Sequence, residues 1–138
     1  MPAEHSRSPA IAGQTVPSHD LAKDLFDRTA DDYQQRSELR VTSFSSLIFQ
    51  RRIEIVSRLL DRIPSPGQVL DYGMGPAVFA RRCVDRGLEY VGIDISPVMV
   101  QHAEALGLAA AHYRVGDLNT LADYERAMDG VLAIGLLD

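Results

Sequence analysis

The sequence predicts an α/β fold, an open parallel sheet preceded by N-terminal helices, and three observations carry that reading. From Gln68 onward, short apolar runs alternate with helical segments, the pattern of βα units joined by right-handed crossovers. Asp71, Asp94 and Asp117 recur at intervals of 23 residues, each at or just after the carboxyl end of a predicted strand. A glycine-rich turn, Gly73-Met74-Gly75, stands between the first strand and the first crossover helix.

The elements follow in order. Residues 1 to 19 are rich in Pro, Ser, Gly and Ala without periodicity and read as a mobile N-terminal tail. Residues 20 to 63 contain neither Gly nor Pro and read as a helical lead-in. In its second half Val41, Phe44, Ile48, Ile55, Leu59 and Ile63 fall mainly at steps of three and four, predicting one apolar face of a long helix. Arg51, Arg52, Glu54, Arg58 and Asp61 fill much of the opposite face. Pro64-Ser65-Pro66-Gly67 then stops the helix and links it to the βα half, residues 68 to 138.

The first strand is Val69-Leu70-Asp71, and its helix starts with Pro76 in the first turn, runs to about Arg86 and closes at Gly87. The second strand is Tyr90 to Asp94; Ser96 as N-cap and Pro97 at the first helical position start a helix that reaches about Leu106 and ends at Gly107. The third strand is Ala111 to Val115 and the last is Gly130 to Gly135. Only Leu136-Leu137-Asp138 follow. A parallel sheet is covered by helices on both faces, so the pattern reads as a C-terminally truncated domain, the alternative being an open sheet edge.

Composition narrows the function classes. The 138 residues are 46% hydrophobic, which supports a packed core. Nineteen acidic against fourteen basic side chains give a net charge of -5, against the basic footprint of a nucleic-acid binder. Arg51-Arg52 and Arg81-Arg82 read as solvated helix faces. No apolar run is long enough to span a membrane, and the first twenty residues lack a signal-peptide core. The single cysteine, Cys83, reads as a buried small residue, and a reducing, cytoplasmic compartment is expected. His5, His19, His102 and His112 show no ligand spacing, so no metal site is expected.

Strand carboxyl ends form the ligand crevice of an open parallel sheet. Three acceptor-only carboxylates there ask for a ligand rich in donors or positive charge. A strand-terminal Asp can equally cap the next helix, but three of them together with the glycines favour a site. NAD would bring its pyrophosphate against Asp71, and the third glycine of the dinucleotide fingerprint would fall at Val78. S-adenosylmethionine offers an ammonium, a sulfonium, a ribose diol and an adenine amino group, which suit carboxylates better.

Val69-Leu70-Asp71-Tyr72-Gly73-Met74-Gly75 resembles the first motif of class I S-adenosyl-L-methionine-dependent methyltransferases of the small-molecule type. Tyr90-Val91-Gly92-Ile93-Asp94-Ile95-Ser96-Pro97-Val98-Met99 is similar to their second, Val115-Gly116-Asp117-Leu118 to their third and Asp129 to Gly135 to their fourth. Phe26-Asp27-Arg28-Thr29-Ala30-Asp31-Asp32-Tyr33 is similar to their lead-in helix. The resemblance implies a Rossmann-like parallel sheet, here its first four strands, with residues 20 to 138 as an incomplete methyltransferase domain and residues 20 to 63 as a lid.

The resemblance also implies roles. Asp71 helps hold the methionine amino group, and Gly73 and Gly75 let the cofactor approach. Asp94 takes the ribose hydroxyls, while Ile95 and Met99 pack on adenine, although Met99 on periodicity alone reads as core. Asp117 accepts from the adenine amino group and the Leu118 backbone faces the ring. The backbone near Ala133 lies by the methionine part, and Tyr33 covers it. Ala77 stands where the family usually has a third glycine. The implied activity is methyl transfer to a nucleophilic atom of a small-molecule acceptor; no catalytic residue is assigned. The alternatives are a non-catalytic cofactor-binding module or remnant and, less well matched because of Asp71, a dehydrogenase.

Overall fold

The structure, a computed structural model, describes residues 20, 21, 23–25, 27, 28 and 44–134. The expected tail, Tyr33 and the end of the expected last strand lie outside the described residues. The described positions among 20–28 are helical. They are followed by α1 (Phe44–Leu60), β1 (Gly67–Tyr72), α2 (Ala80–Val84), β2 (Leu88–Asp94), α3 (Pro97–Glu104), β3 (Ala111–Val115), a 3-10 helix (Leu118–Tyr124) and β4 (Gly130–Leu132).

The four strands form one parallel sheet in the order β3-β2-β1-β4. Val69, Tyr90 and Ala111 lie in register across β1, β2 and β3. That row is the floor of the core, onto which Val56 and Leu60 of α1, Ala80 and Cys83 of α2, and Val100 and Ala103 of α3 pack. Ser96 caps α3 as expected: its side chain accepts from the Met99 N–H at 3.2 Å, and Pro97 opens the helix. Gly87 and Gly107 adopt the left-handed conformation that ends the helical segments. Among the described residues, no helix is long and apolar enough to cross a membrane.

Three expectations change. The apolar stripe of α1 is misplaced: Phe44 is 77% exposed, and Ile48, Ile55 and Leu59 are exposed too. The buried positions are Val56 and Leu60, with Ile53 and Ile63 packed beside them. α1 is apolar on two faces, and its contact with the sheet is confined to its last turns, so periodicity alone could not choose between stripes. The first crossover helix is shorter than expected, beginning at Ala80, because Ala77 sits at φ 56 and the backbone turns through 75–79 before helix can form. Finally, strand pairing of β4 ends at Leu132 and leaves Ala133 and Ile134 outside the strand.

Candidate functional site

Strand order reverses beside β1: the chain passes from β1 outward to β2 and β3, then returns to place β4 on the other flank. A crevice opens outside the carboxyl ends of strands at such a point. The turn after β1 lines it. Gly73 and Gly75 take φ of 70° and 54°, which only glycine adopts without cost. The N–H groups of Gly73 and Met74 both donate to the Ile93 carbonyl, at 2.8 and 3.1 Å, tying the turn to β2. Ala77 at φ 56 occupies the third glycine position with the backbone a glycine would take there, and its methyl is buried.

Asp94 joins the loops that follow three strands. Its Oδ2 accepts from the Gly75 N–H at 2.8 Å, its Oδ1 from the Ser96 N–H at 2.9 Å, and its backbone carbonyl from the Gly116 N–H at 2.9 Å. A carboxylate offers about four acceptor positions; the Gly75 and Ser96 amides use two of them, and the Ile95 backbone N–H also acts on this carboxylate. Burial pushes the Asp94 carboxyl upward, opposed by the Ser96 and Gly75 amides, and the negative charge of Asp27 adds to the rise.

Asp71 lies deeper, 3% exposed, and its Oδ2 accepts from the Tyr90 hydroxyl at 2.7 Å. Burial pushes its carboxyl up to about 7; the Tyr90 bond opposes this and the Asp94 charge reinforces it. The same desolvation, with Asp71 as the nearest charge, raises Tyr90 well above its ordinary value and pushes Cys83 up to about 12. Cys83 is thus an inert thiol in the core.

Asp117 does what a lone strand-end aspartate does. Its Oδ1 accepts from the Asn119 N–H at 2.9 Å, and Thr120 Oγ1 accepts from the Asp117 N–H at 3.1 Å, a capping box that starts the 3-10 helix. The Tyr72 hydroxyl is raised by burial first, then by the charges of Asp117 and Asp94, so both carboxylates act on one point of the crevice. Ile95 is half-buried, and Leu118 is 68% exposed at the end of β3, an apolar surface open to a planar ligand. Met99 is buried at the head of α3, consistent with its core periodicity. Ala133 is exposed just beyond β4.

The structure therefore brings Asp71, Gly73, Gly75, Asp94, Ile95, Asp117 and Leu118 to one edge of the sheet. Sequence reasoning missed Tyr90, Tyr72 and Asp27 as members of this neighbourhood. Tyr90 carried a legible signal, since a tyrosine inside an apolar strand must find a partner for its hydroxyl. Asp27 lies in the lead-in segment, but nothing in the sequence marked its partner, the Ser96 hydroxyl 69 residues away.

Residues 44–138 match the family described as "Methyltransferase domain". Among solved structures, the magnesium protoporphyrin IX methyltransferase of Synechocystis PCC 6803, solved with bound SAM, is 21% identical with a TM-score of 0.59, over 77% of this chain and 57% of that one. A complex between the Haloferax volcanii Trm112 methyltransferase activator and a methyltransferase matches at 28% identity and a TM-score of 0.50, over 67% and 38%. The [4+2]-cyclase SpnF matches at 16% identity and a TM-score of 0.55, over 73% and 43%. The chain thus spans between about two fifths and a little over half of each of these proteins. The sheet has the Rossmann-like topology expected of it.

Proposed function

Because the chain belongs to the methyltransferase-domain family, we propose that it holds S-adenosyl-L-methionine at the carboxyl ends of β1 to β3 and serves methyl transfer to a nucleophilic atom of a small-molecule acceptor. The observation that carries the reading is Asp94: one carboxylate at the end of β2 joins the glycine turn to the β2–α3 turn, and in this reading its remaining acceptor capacity takes the ribose diol. When bound, the cofactor supplies an electrophilic methyl on a sulfonium.

The chain's own residues position it. Gly73 and Gly75 admit the methionine part to the strand end, with Asp71 behind them as the counter-charge to the ammonium and the backbone near Ala133 on the β4 side. Ile95 and Leu118 enclose the adenine, and Asp117 accepts from its amino group. Met99 supports this wall from beneath. The catalytic contribution is alignment of the acceptor for in-line attack and exclusion of water.

Calorimetric titration tests the binding half of the proposal. S-adenosylmethionine and its demethylated product are expected to bind, and NAD to bind more weakly or not at all; tighter binding of NAD would overturn it. A fold does not by itself fix its chemistry, so a second reading, a non-catalytic cofactor-binding module, is tested by transfer of labelled methyl to a panel of small-molecule acceptors.

A further inference from the structure

The helix at 20–28 is far in sequence from the βα half yet lands on it at one point. The Ser96 hydroxyl donates to Asp27 Oδ1. The same oxygen of Ser96 accepts from the Met99 N–H at 3.2 Å, so the hydroxyl is oriented by α3 itself and Ser96 is wholly buried. Lys23 Nζ lies 3.1 Å from Asp27 Oδ2, one turn back on the same helix. Together these donors, the Ser96 hydroxyl foremost, hold the Asp27 carboxyl below its ordinary range, although it sits close enough to Asp94 for the two charges to act on each other.

A second carboxylate beside Asp94 is unfavourable unless it is fully used by donors. Here it is used, by the Ser96 hydroxyl of the β2–α3 segment and by Lys23 of its own helix. Its bond into that segment runs to Ser96, which caps α3 two positions after Asp94 and whose own N–H donates to Asp94 Oδ1. Anything that fixes Ser96 therefore fixes the rim beside Asp94.

We propose that Asp27 is a positioning residue of the cofactor site, fastening the 20–28 helix to the β2–α3 turn so that this helix forms a wall beside Asp94. The proposal rests on the cofactor reading above for what the wall encloses, and on the Asp27–Ser96 bond for the wall itself. Asp27 touches no reacting atom. It acts through Ser96, and its loss is felt as a loosened wall.

The test is hydrogen exchange on the full chain, with and without S-adenosylmethionine, for wild type, Asp27→Ala and the near-isosteric Asp27→Asn. Without cofactor, Asp27→Ala is expected to speed exchange across 20–28 by about tenfold or more, the scale of one lost charge-assisted hydrogen bond, while β1 and β2 are unchanged. Asp27→Asn, which keeps one acceptor oxygen, falls between. With cofactor, wild type gains protection both at 71–75 and at 20–28; Asp27→Ala keeps the first gain and loses the second, and its affinity drops several-fold.

Equal exchange at 20–28 in wild type and both variants would overturn the fastening. An undiminished cofactor-induced gain at 20–28 in Asp27→Ala would overturn the role in the site. Absence of any gain at 71–75 in wild type would instead overturn the cofactor reading, and the comparison without cofactor would still decide the fastening. Should Asp27→Ala fail to fold, Asp27→Asn alone supplies the same comparisons.

Discussion

Replacing Asp71 by Asn tests whether a buried carboxyl behind the glycine turn is held at a cost. Asp71 is 3% exposed, and the described bond to its side chain comes from the Tyr90 hydroxyl at 2.7 Å. Burial, more than the Asp94 charge, pushes its carboxyl from 3.8 up to about 7, despite the Tyr90 bond. Between those values the folded protein keeps a proton that the unfolded chain has released. The stability linked to this group is therefore fully present below about pH 4 and is lost as pH rises through about 7, after which it is flat. The gap, at about 1.4 kcal/mol per pH unit, amounts to about 4 kcal/mol. Asparagine keeps an oxygen for the Tyr90 hydroxyl and does not ionise. Urea unfolding of both proteins between about pH 4 and about pH 9 reads the effect of Asp71 and the groups coupled to it, because all uncoupled titrations cancel in the difference. Wild type is expected to lose stability relative to Asp71→Asn by several kcal/mol across that range. Parallel curves would refute the reasoning. The same burial has a functional consequence. An ammonium brought near Asp71 favours its ionised form, so S-adenosylmethionine binding should release a proton near neutral pH and strengthen between about pH 6 and about pH 8; in Asp71→Asn that dependence should flatten.

Three further outcomes are expected. Asp94→Ala removes the acceptor for the Gly75 and Ser96 amides as well as for the ribose, so cofactor affinity should fall about 30- to 150-fold (about 2 to 3 kcal/mol), with a lower melting temperature; unchanged affinity in calorimetry would remove Asp94 from the site. At Gly92 a Cβ would overlap the Met74 sulfur and come within 2.9 Å of the Tyr90 ring, so Gly92→Ala should cost about 1 to 3 kcal/mol in thermal unfolding and weaken the cofactor by shifting the turn that contains Met74. Asp117→Ser keeps an N-cap for the 3-10 helix, so stability should stay within about 0.5 kcal/mol while cofactor affinity falls about tenfold; the reverse pattern would make Asp117 a cap alone.

The parts of this protein legible in its sequence are those governed by local chemistry. β3 lies at Ala111–Val115 as expected, and α3 begins at Ser96-Pro97 because a serine oxygen and a proline ring act within one turn. The glycine turn and the three strand-end aspartates were legible for the same reason: positive φ and strand ends are set within a few residues. The capping box of Asp117 and Thr120 is also local, the helix-capping role open to any strand-end aspartate.

What tertiary structure alone decided is every pairing across distance. Two stripes of α1 were apolar, and the choice of Val56 and Leu60 over Ile55 and Leu59 belongs to the sheet they meet. Asp71 was visible as a carboxylate, but its elevation depends on being sealed beneath neighbouring elements with Tyr90 as donor. Asp27 reaches Ser96 across 69 residues. The energy of such contacts depends on desolvation and on the geometry of groups brought together by the fold. Composition, periodicity and spacing describe neighbours along the chain, and these residues become neighbours only once the strands have paired.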